Sequence, residues 1–513
     1  MLFPLSITTP AMTFDHVRGK LMTVHGSTSQ GLVIPSGSQV TAGSFGRMFP
    51  TLEARRPTGL EMAEQFGLPG GKMDGGQTGA EQENPRFPAG FTYFGQFTDH
   101  DLTLDAISRL DHQSDPNGLL DFRSPRLDID SLYGGGPVVS PLLYDQASHQ
   151  TKLVLSADGV DLARTADGVA LIGDPRNDEN MLLAQLHLAF IKFHNQVVDQ
   201  LRAGKITDVF GDHLPPQPPD EPADEQPGAT LDQLLDVENY YNTVFASAQR
   251  LVRWHYQWII VHEFLPTVAD PHVVRDVEDN GPRFFTPNGR PFIPAEFAVA
   301  AYRFGHPTIR SGYRVNENFT GKIFPDDPDQ PATPRTDLRG GPVDAAHAVD
   351  FSFFFHTDRD RQPQAAKRIE AKLNTQLLDL PVSAVPGAKA GALARPVASL
   401  VVRNLLRSEA QGLPSGQDVA RKIGEIPLTD RELDTTGPIY LWYYILKEAE
   451  VRAGGAHLGP VGSRLVAEVL IGLLDADPTS YRAAYPAWQP TLATDPGQFG
   501  IVDLLRFAGV VPR

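Results

Sequence analysis

The sequence predicts a mainly α protein: one large helical domain over 45–513, with long loops and little β structure, preceded by an irregular arm over 1–44. Three observations predict this class. Apolar residues recur at helical spacing in several long stretches. Alternating runs of the kind that build half-buried strands are scarce. The segments between the helical stretches are rich in proline and acid, as solvated connections are. A length of 513 residues would allow about three domains, and no internal repeat divides the chain. Hydrophobic residues, at 41%, are ample for one sizeable core.

Over the first 90 residues Gly, Pro, Ser and Thr are frequent, and helical periodicity surfaces only near Leu60–Phe66. From 181 to 202, MLLAQLHLAFIKFHNQVVDQLR places Leu182, Leu183, Leu186, Phe190, Phe193 and Val197 on one helical face. Asp174-Pro175 reads as its cap and first turn, with Asp178 and Glu179 near the positive helix end. PPQPPDEPADEQP (215–227) contains no basic residue and reads as a loop. A second helix is expected through about 231–265. A third covers 295–306, entered through Pro294 and broken at Pro307. FPDDPDQPATP (324–334) and the Pro/Gly/Ala segment 381–396 are further loops, and helices recur at 397–408, 438–452 and 461–475.

Composition excludes several chemistries. Lys+Arg 45 against Asp+Glu 62 leaves a net charge of −17, which disfavours general nucleic-acid binding. With Cys 0 there are no disulfides, thiolate metal sites, iron–sulfur clusters or cysteine nucleophiles. Stretches such as Val469–Leu474 fall far short of the roughly 18 apolar residues of a spanning helix. The N-terminus has no basic residue before Arg18, and Pro4 and Pro10 interrupt its apolar run, which makes a poor secretory signal. A cytoplasmic or non-classically secreted protein is expected. His262-Glu263 is not a zinc-protease motif, because position 266 is Pro266. The pairs His187/His194 and His255/His262 are expected in the core.

Five constellations could carry chemistry. In GFTYFGQFTDHDLTLD (90–105), Gln96 and His100 share a helical face, while Asp99 and Asp101 point elsewhere. Such a histidine can serve as general base or metal ligand, although an isolated D-H-D is as well explained by a capped helix start. SPRLDIDSLYGGG (124–136) offers oxygen ligands from Ser124, Asp128, Asp130 and Ser131, suited to Ca²⁺, against the plainer reading of an acidic turn. In GDPRNDEN (173–180), Arg176 and Glu179 face the same way, as a surface ion pair also would. In FAVAAYRFGHPTIR (297–310), Arg303 and His306 are three apart on an apolar stretch, consistent with a haem ligand beside a propionate partner or with a satisfied core histidine. In VVRNLLRSE (401–409), Asn404 and Arg407 share one face.

Taken together and in this order, these motifs resemble the animal-type haem peroxidases of the peroxidase–cyclooxygenase superfamily, in a microbial-type member. The resemblance runs from about Phe45 to Glu409 and rests on GQFTDHD, LDIDSLYG, Arg176-x-x-Glu179, Arg303-x-x-His306 and Asn404-x-x-Arg407. It implies haem b, hydrogen peroxide as oxidant, a small reducing donor (halide, thiocyanate or phenol), a ferryl intermediate and a place in the response to oxidative stress. His100 would be the distal histidine that moves the peroxide proton, contributing ~10²–10⁴-fold. Arg176 would stabilise the charge that develops as the O–O bond breaks, and Gln96 would bond a distal water or halide. His306 would hold the iron, with Asn404 accepting its other ring N–H. Arg303 and Arg407 would pair with the propionates, and Asp99 and Glu179 would form ester bonds to haem methyl groups. Asp101, Ser124, the Arg126 carbonyl, Asp128 and Asp130 would hold Ca²⁺.

The resemblance also has departures. Asn180 follows Glu179 where myeloperoxidase has methionine, which excludes a sulfonium link. The oxygenases of the superfamily carry a radical tyrosine three residues before the proximal histidine. Here that position is Arg303, and Tyr302 lies one residue further back, a rotation of about 100° on a regular helix. Peroxidase is therefore favoured over fatty-acid dioxygenase, with a non-catalytic calcium- or haem-binding scaffold third.

Overall fold

The computed structural model describes residues 43–76, 82–105, 114–218, 231–287, 291–325, 335–357, 361–381, 398–493 and 497–511. Most of the expected arm (1–42) and most of the loops placed at 215–227, 324–334 and 381–396 lie outside them. The expectation of a mainly α fold holds. Strands are short: β1 (Gly43–Gly46) lies between β3 (Leu120–Asp121) and β4 (Ile293–Pro294), while β2 (Glu83–Pro88) pairs with β7 (Ala365–Lys367) and β5 (Gly312–Arg314) with β6 (Thr320–Lys322).

Helix α1 (Gly59–Gly67) precedes α2 (Gly90–Leu102), whose Phe91, Phe94 and Phe97 are buried. Gly90 opens α2 because nothing larger fits: a Cβ there would meet the Phe355 ring at 2.3 Å. Helix α3 (Met181–Arg202) has the expected span but a different cap. Asn180, not Asp174, accepts from the Leu183 N–H, while Asp174 and Pro175 open a separate 3-10 turn, Pro175–Asp178. Asn180 is extended (φ −138, ψ 151), which divides the two.

Helix α4 (Leu231–Ile259) passes into a widened π turn, Ile260–Phe264, and one more α turn, Leu265–Val268. Pro266 lacks the N–H that a regular ladder needs, and the wide turn sits where that bond is lost. After α5 (Pro271–Asn280), the expected helix at 295–306 is instead a π turn, Glu296–Ala300, followed by a 3-10 turn, Ala301–Gly305. Helices α6 (Leu400–Ala410), α7 (Gly416–Ile423), α8 (Leu441–Ala453), α9 (Pro460–Ala476) and α10 (Ile501–Phe507) complete the set. α3 packs on α4 and α2, and α8 packs on the irregular 296–305 segment. Buried carboxylates tie distant segments together: Glu296 accepts from the N–H groups of Met48 and Phe49, and Glu263 from that of Ile501. His187, His194 and His255 lie in the core as expected, whereas the His262 side chain is 36% exposed. Among the described residues no helix is long and apolar enough to cross a membrane.

Candidate functional site

A cavity opens between α2, the turn before α3 and the 302–306 segment. Gln96 and Asp99 of α2 line one side with Glu179 and Asn180, and Tyr302, Arg303 and His306 line another. The remainder is largely apolar, including Ile309, Ile323, Phe324, Leu338, Leu377, Leu380 and Leu400. Gln96 donates to Glu179 and accepts from Asn180 Nδ2 (3.2 Å), so the distal wall is a hydrogen-bonded strip. Burial pushes Glu179 up to about 8, against the pull of Arg176, and likewise raises Asp99, against Arg176 and Arg303.

His100 and Arg176 stand behind this wall and do not line it. The His100 ring is fully buried, with Nδ1 2.8 Å from Asn177 Oδ1; burial, then Arg176, pushes its value down to about 3. Arg176 donates to Asp174 through Nε and Nη2, and Nη2 also reaches the His100 carbonyl (3.1 Å). Burial would raise Asp174, yet Arg123 and Arg176 hold it well below the usual carboxylate range. The turn bearing Arg176 is pressed by the 339–341 loop. Gly340 donates to the Glu179 carbonyl, and a Cβ there would lie 1.6 Å from Asp178 O.

On the proximal side, His306 is buried and neutral, its value pushed to about 3 by burial and Arg303. Asn404 Nδ2 lies 3.0 Å from His306 Nδ1, while Arg303 Nη1 donates to Asn404 Oδ1. This reverses the expected amide: a guanidinium only donates, so it claims the oxygen and leaves the NH₂ to face the imidazole. Arg303, Arg403 and Arg407 are all buried. Burial and then Arg407 bring Arg303 to about 10, and Arg403 reaches about 10 for the same reasons with Arg303 added. Arg407 is paired with Asp105 at 3.0 Å.

An acidic counterpart lies at the far side of α2. Ligand oxygens of Asp101, Asp128 and Asp130 lie within 4.8 Å of one another. Burial and then mutual repulsion raise Asp128 to about 7 and Asp101 well above the carboxylate range; burial raises Asp130 too, partly offset by Arg123. Asp101 Oδ1, Asp128 Oδ1 and Ser131 Oγ have no hydrogen-bond partner. Between the two loop carboxylates, Ile129 adopts φ +59, a left-handed conformation costly for a β-branched residue.

Residues 140–333 match the family described as animal haem peroxidase. Over that segment the chain is similar to the animal-type haem peroxidases. Three solved structures share the fold at 14% identity each. Peroxidase A from Dictyostelium discoideum aligns over 86% of this chain and 88% of its own, with a TM-score of 0.51. The fatty acid alpha-dioxygenase of Arabidopsis thaliana aligns over 83% and 71%, with a TM-score of 0.52. That of Oryza sativa aligns over 91% and 80%, with a TM-score of 0.51. Among curated proteins, none matches by sequence.

The residues present fit a haem. His306 offers a buried neutral imidazole at the cavity wall, and the carboxylates of a haem would offset the charge of three buried arginines. The unpartnered oxygens of the acidic cluster likewise suit a hard cation. Among the expected site residues, the structure brings Gln96, Asp99, Glu179, Arg303 and His306 onto one cavity and places Asn404 against His306. Ser124 Oγ donates to Asp128 Oδ2 at 2.8 Å, and the Arg126 N–H to the Ser124 carbonyl. Arg403, Asn177 and Asp105 were missed. Arg403 and Arg407 are i, i+4 on α6, the one signal that could have found the first of them.

Proposed function

We propose that the chain is a haem peroxidase that uses hydrogen peroxide to oxidise a small reducing donor, a halide, thiocyanate or phenol. The observation that supports this best is the cavity itself, lined by His306 together with Gln96, Asp99 and Glu179, with Arg176 near enough to act on both carboxylates. His306 would hold the iron of haem b through Nε2 once Arg303 leaves the Asn404 oxygen for a propionate, beside Arg403 and Arg407, and the Asn404 amide turns that oxygen to accept from His306 Nδ1–H. Bound haem would supply an iron centre able to give two electrons to peroxide. Reached through the Gln96–Glu179 strip, His100 would accept one peroxide proton and return it to the leaving oxygen. Arg176, fixed by Asp174, offsets the negative charge developing on that oxygen. Gln96 orients a distal water or halide. Asp99 and Glu179, both on the cavity wall, would make the ester links. Ca²⁺ bound by Asp101, Ser124, the Arg126 carbonyl, Asp128 and Asp130 would tie the 124–131 loop to α2. A single hydrophobic cluster from Phe45 to Val511 supports one domain over 45–513.

A second reading, fatty-acid oxygenation, is favoured by Tyr302. Its hydroxyl makes no hydrogen bond of standard geometry, and the ring lines the cavity beside Arg303 despite sitting four residues before His306. The π and 3-10 turns there break the 100° step that a regular helix would impose.

One experiment separates the two: absorption spectra of the haem-loaded protein before and after one equivalent of peroxide, then phenol, beside oxygen uptake on a long-chain fatty acid. Peroxide-driven change that phenol reverses is expected. Oxygen uptake without peroxide, lost in Tyr302→Phe, would put the oxygenase first. Bound haem inert in both assays would leave a scaffold. Haem that resists acid–acetone extraction in the wild type, but not in Asp99→Asn or Glu179→Gln, would carry the ester assignment.

A further inference from the structure

Asn177 follows Arg176 on the Pro175–Asp178 turn and is fully buried. Its amide spans two histidines. Oδ1 lies 2.8 Å from His100 Nδ1, and Nδ2 lies 2.9 Å from Nδ1 of His187, a buried residue of α3. An amide oxygen only accepts and an amide nitrogen only donates, so with the amide turned this way each contact sets one proton. His100 carries hydrogen on Nδ1. His187 accepts at Nδ1 and so carries its hydrogen on Nε2, which has no hydrogen-bond partner among the described residues; the ring lies in the core and packs T-shaped on Phe97 at 5.9 Å.

We propose that His187 and Asn177 are positioning residues that lock His100 in the tautomer with Nδ1 protonated and Nε2 basic. This rests on the reading of His100 as the proton acceptor. Asn177 alone cannot choose: turned over, its NH₂ would face His100 and force that proton onto Nε2, where no proton could be accepted. His187 breaks the tie through its own proton: held on Nε2, on the side of the ring away from Asn177, it leaves Nδ1 bare, and a bare Nδ1 draws the NH₂ toward α3. The same turn grips His100 twice, since Arg176 holds the main-chain carbonyl while Asn177 holds the ring.

The test uses the full-length protein with ¹⁵N-labelled histidine, loaded with ferrous haem and carbon monoxide, which is diamagnetic. Nitrogen chemical shifts report which ring atom bears the proton. The wild type is expected to show His100 protonated at Nδ1 only. His187→Leu is expected to give mixed tautomers and to lower the bimolecular rate with peroxide on the order of tenfold. His187→Asn, whose amide oxygen can accept from Asn177, restores both. Asn177→Asp presents only oxygens and is expected to keep Nδ1 protonated without help from His187. A wild-type proton on Nε2, or an unchanged tautomer and rate in His187→Leu, would overturn the proposal. If His187→Leu does not fold, Asn177→Asp decides: a proton moved to Nε2 there overturns it. His100→Ala keeps the two ideas apart. An unchanged peroxide rate would sink His100 as proton acceptor, while the tautomer shifts would still decide the lock.

Discussion

The acidic cluster at Asp101, Asp128 and Asp130 and the basic cluster at Arg303, Arg403 and Arg407 are built on one principle with opposite sign. In both, burial and like-charge neighbours drive the groups toward neutrality, raising Asp128 to about 7 and lowering Arg303 and Arg403 to about 10. They differ in how the backbone assembles them. The acidic cluster takes two ligands from one short loop, bent through the strained Ile129, and one from α2. The basic cluster takes one residue from an irregular turn and two from successive turns of α6, with no strain in the helix. The acidic loop is therefore the part that should gain most order from its ion, whereas the arginines are held in place before any anion arrives.

Variants can break this contrast. The largest effect is expected for His306→Ala, which should lower haem affinity more than ~100-fold by removing the iron ligand itself, since losing even a supporting contact costs 10–100-fold. Titration of the Soret band measures it. Next, Asp128→Asn should abolish a calcium-dependent rise in Tm, which in the wild type is worth about 2.7 kcal/mol at a hundredfold excess over Kd. An unchanged rise would mean that the acidic loop holds no ion. Arg403→Leu should weaken haem retention about tenfold, or about 1.4 kcal/mol, with the histidine-ligated spectrum intact. Loss of the spectrum instead would show that Arg403 supports the fold.

A last effect concerns pH. Glu179 is raised from an ordinary 4.5 to about 8, so the folded chain binds its proton more tightly than the unfolded chain. That stabilisation is complete below about 4.5 and is lost as pH rises toward 8. Glu179→Gln should remove from the haem-free protein a slope of at most about 1.4 kcal/mol per pH unit across that window. Denaturant unfolding at pH 5, 6.5 and 8 would show whether it does.

Much of this was legible in the residues. The span 181–202 was readable because its apolar positions follow the helical period, and MLLAQLHLAFIKFHNQ buries nearly every one of them. The GQFTDHD motif located α2 but misjudged its faces: Gln96 and Asp99, not Gln96 and His100, reach the cavity. Spacing tells which side chains are neighbours on a helix, and only packing tells which neighbour is turned toward solvent, cavity or core. The same limit hid Asn177, whose role depends on α3 lying alongside, and Asp105, whose partner Arg407 is remote in sequence.

The amino-acid sequence by itself determined the class of the fold, because helical periodicity and proline-rich connections are local properties. Its motifs also carried the resemblance to the animal-type haem peroxidases, the family that residues 140–333 match. It also ruled out thiolate chemistry, since there is no cysteine to supply it. Tertiary structure alone decided which end of Asn404 faces His306, because the oxygen goes to whichever neighbour can only donate, and that neighbour is Arg303. It alone brought Tyr302 onto the cavity, through two irregular turns that no period in the sequence announces. Periodicity records which face of an element is apolar; the proton positions and the reach of a side chain are set by what the rest of the chain packs against it.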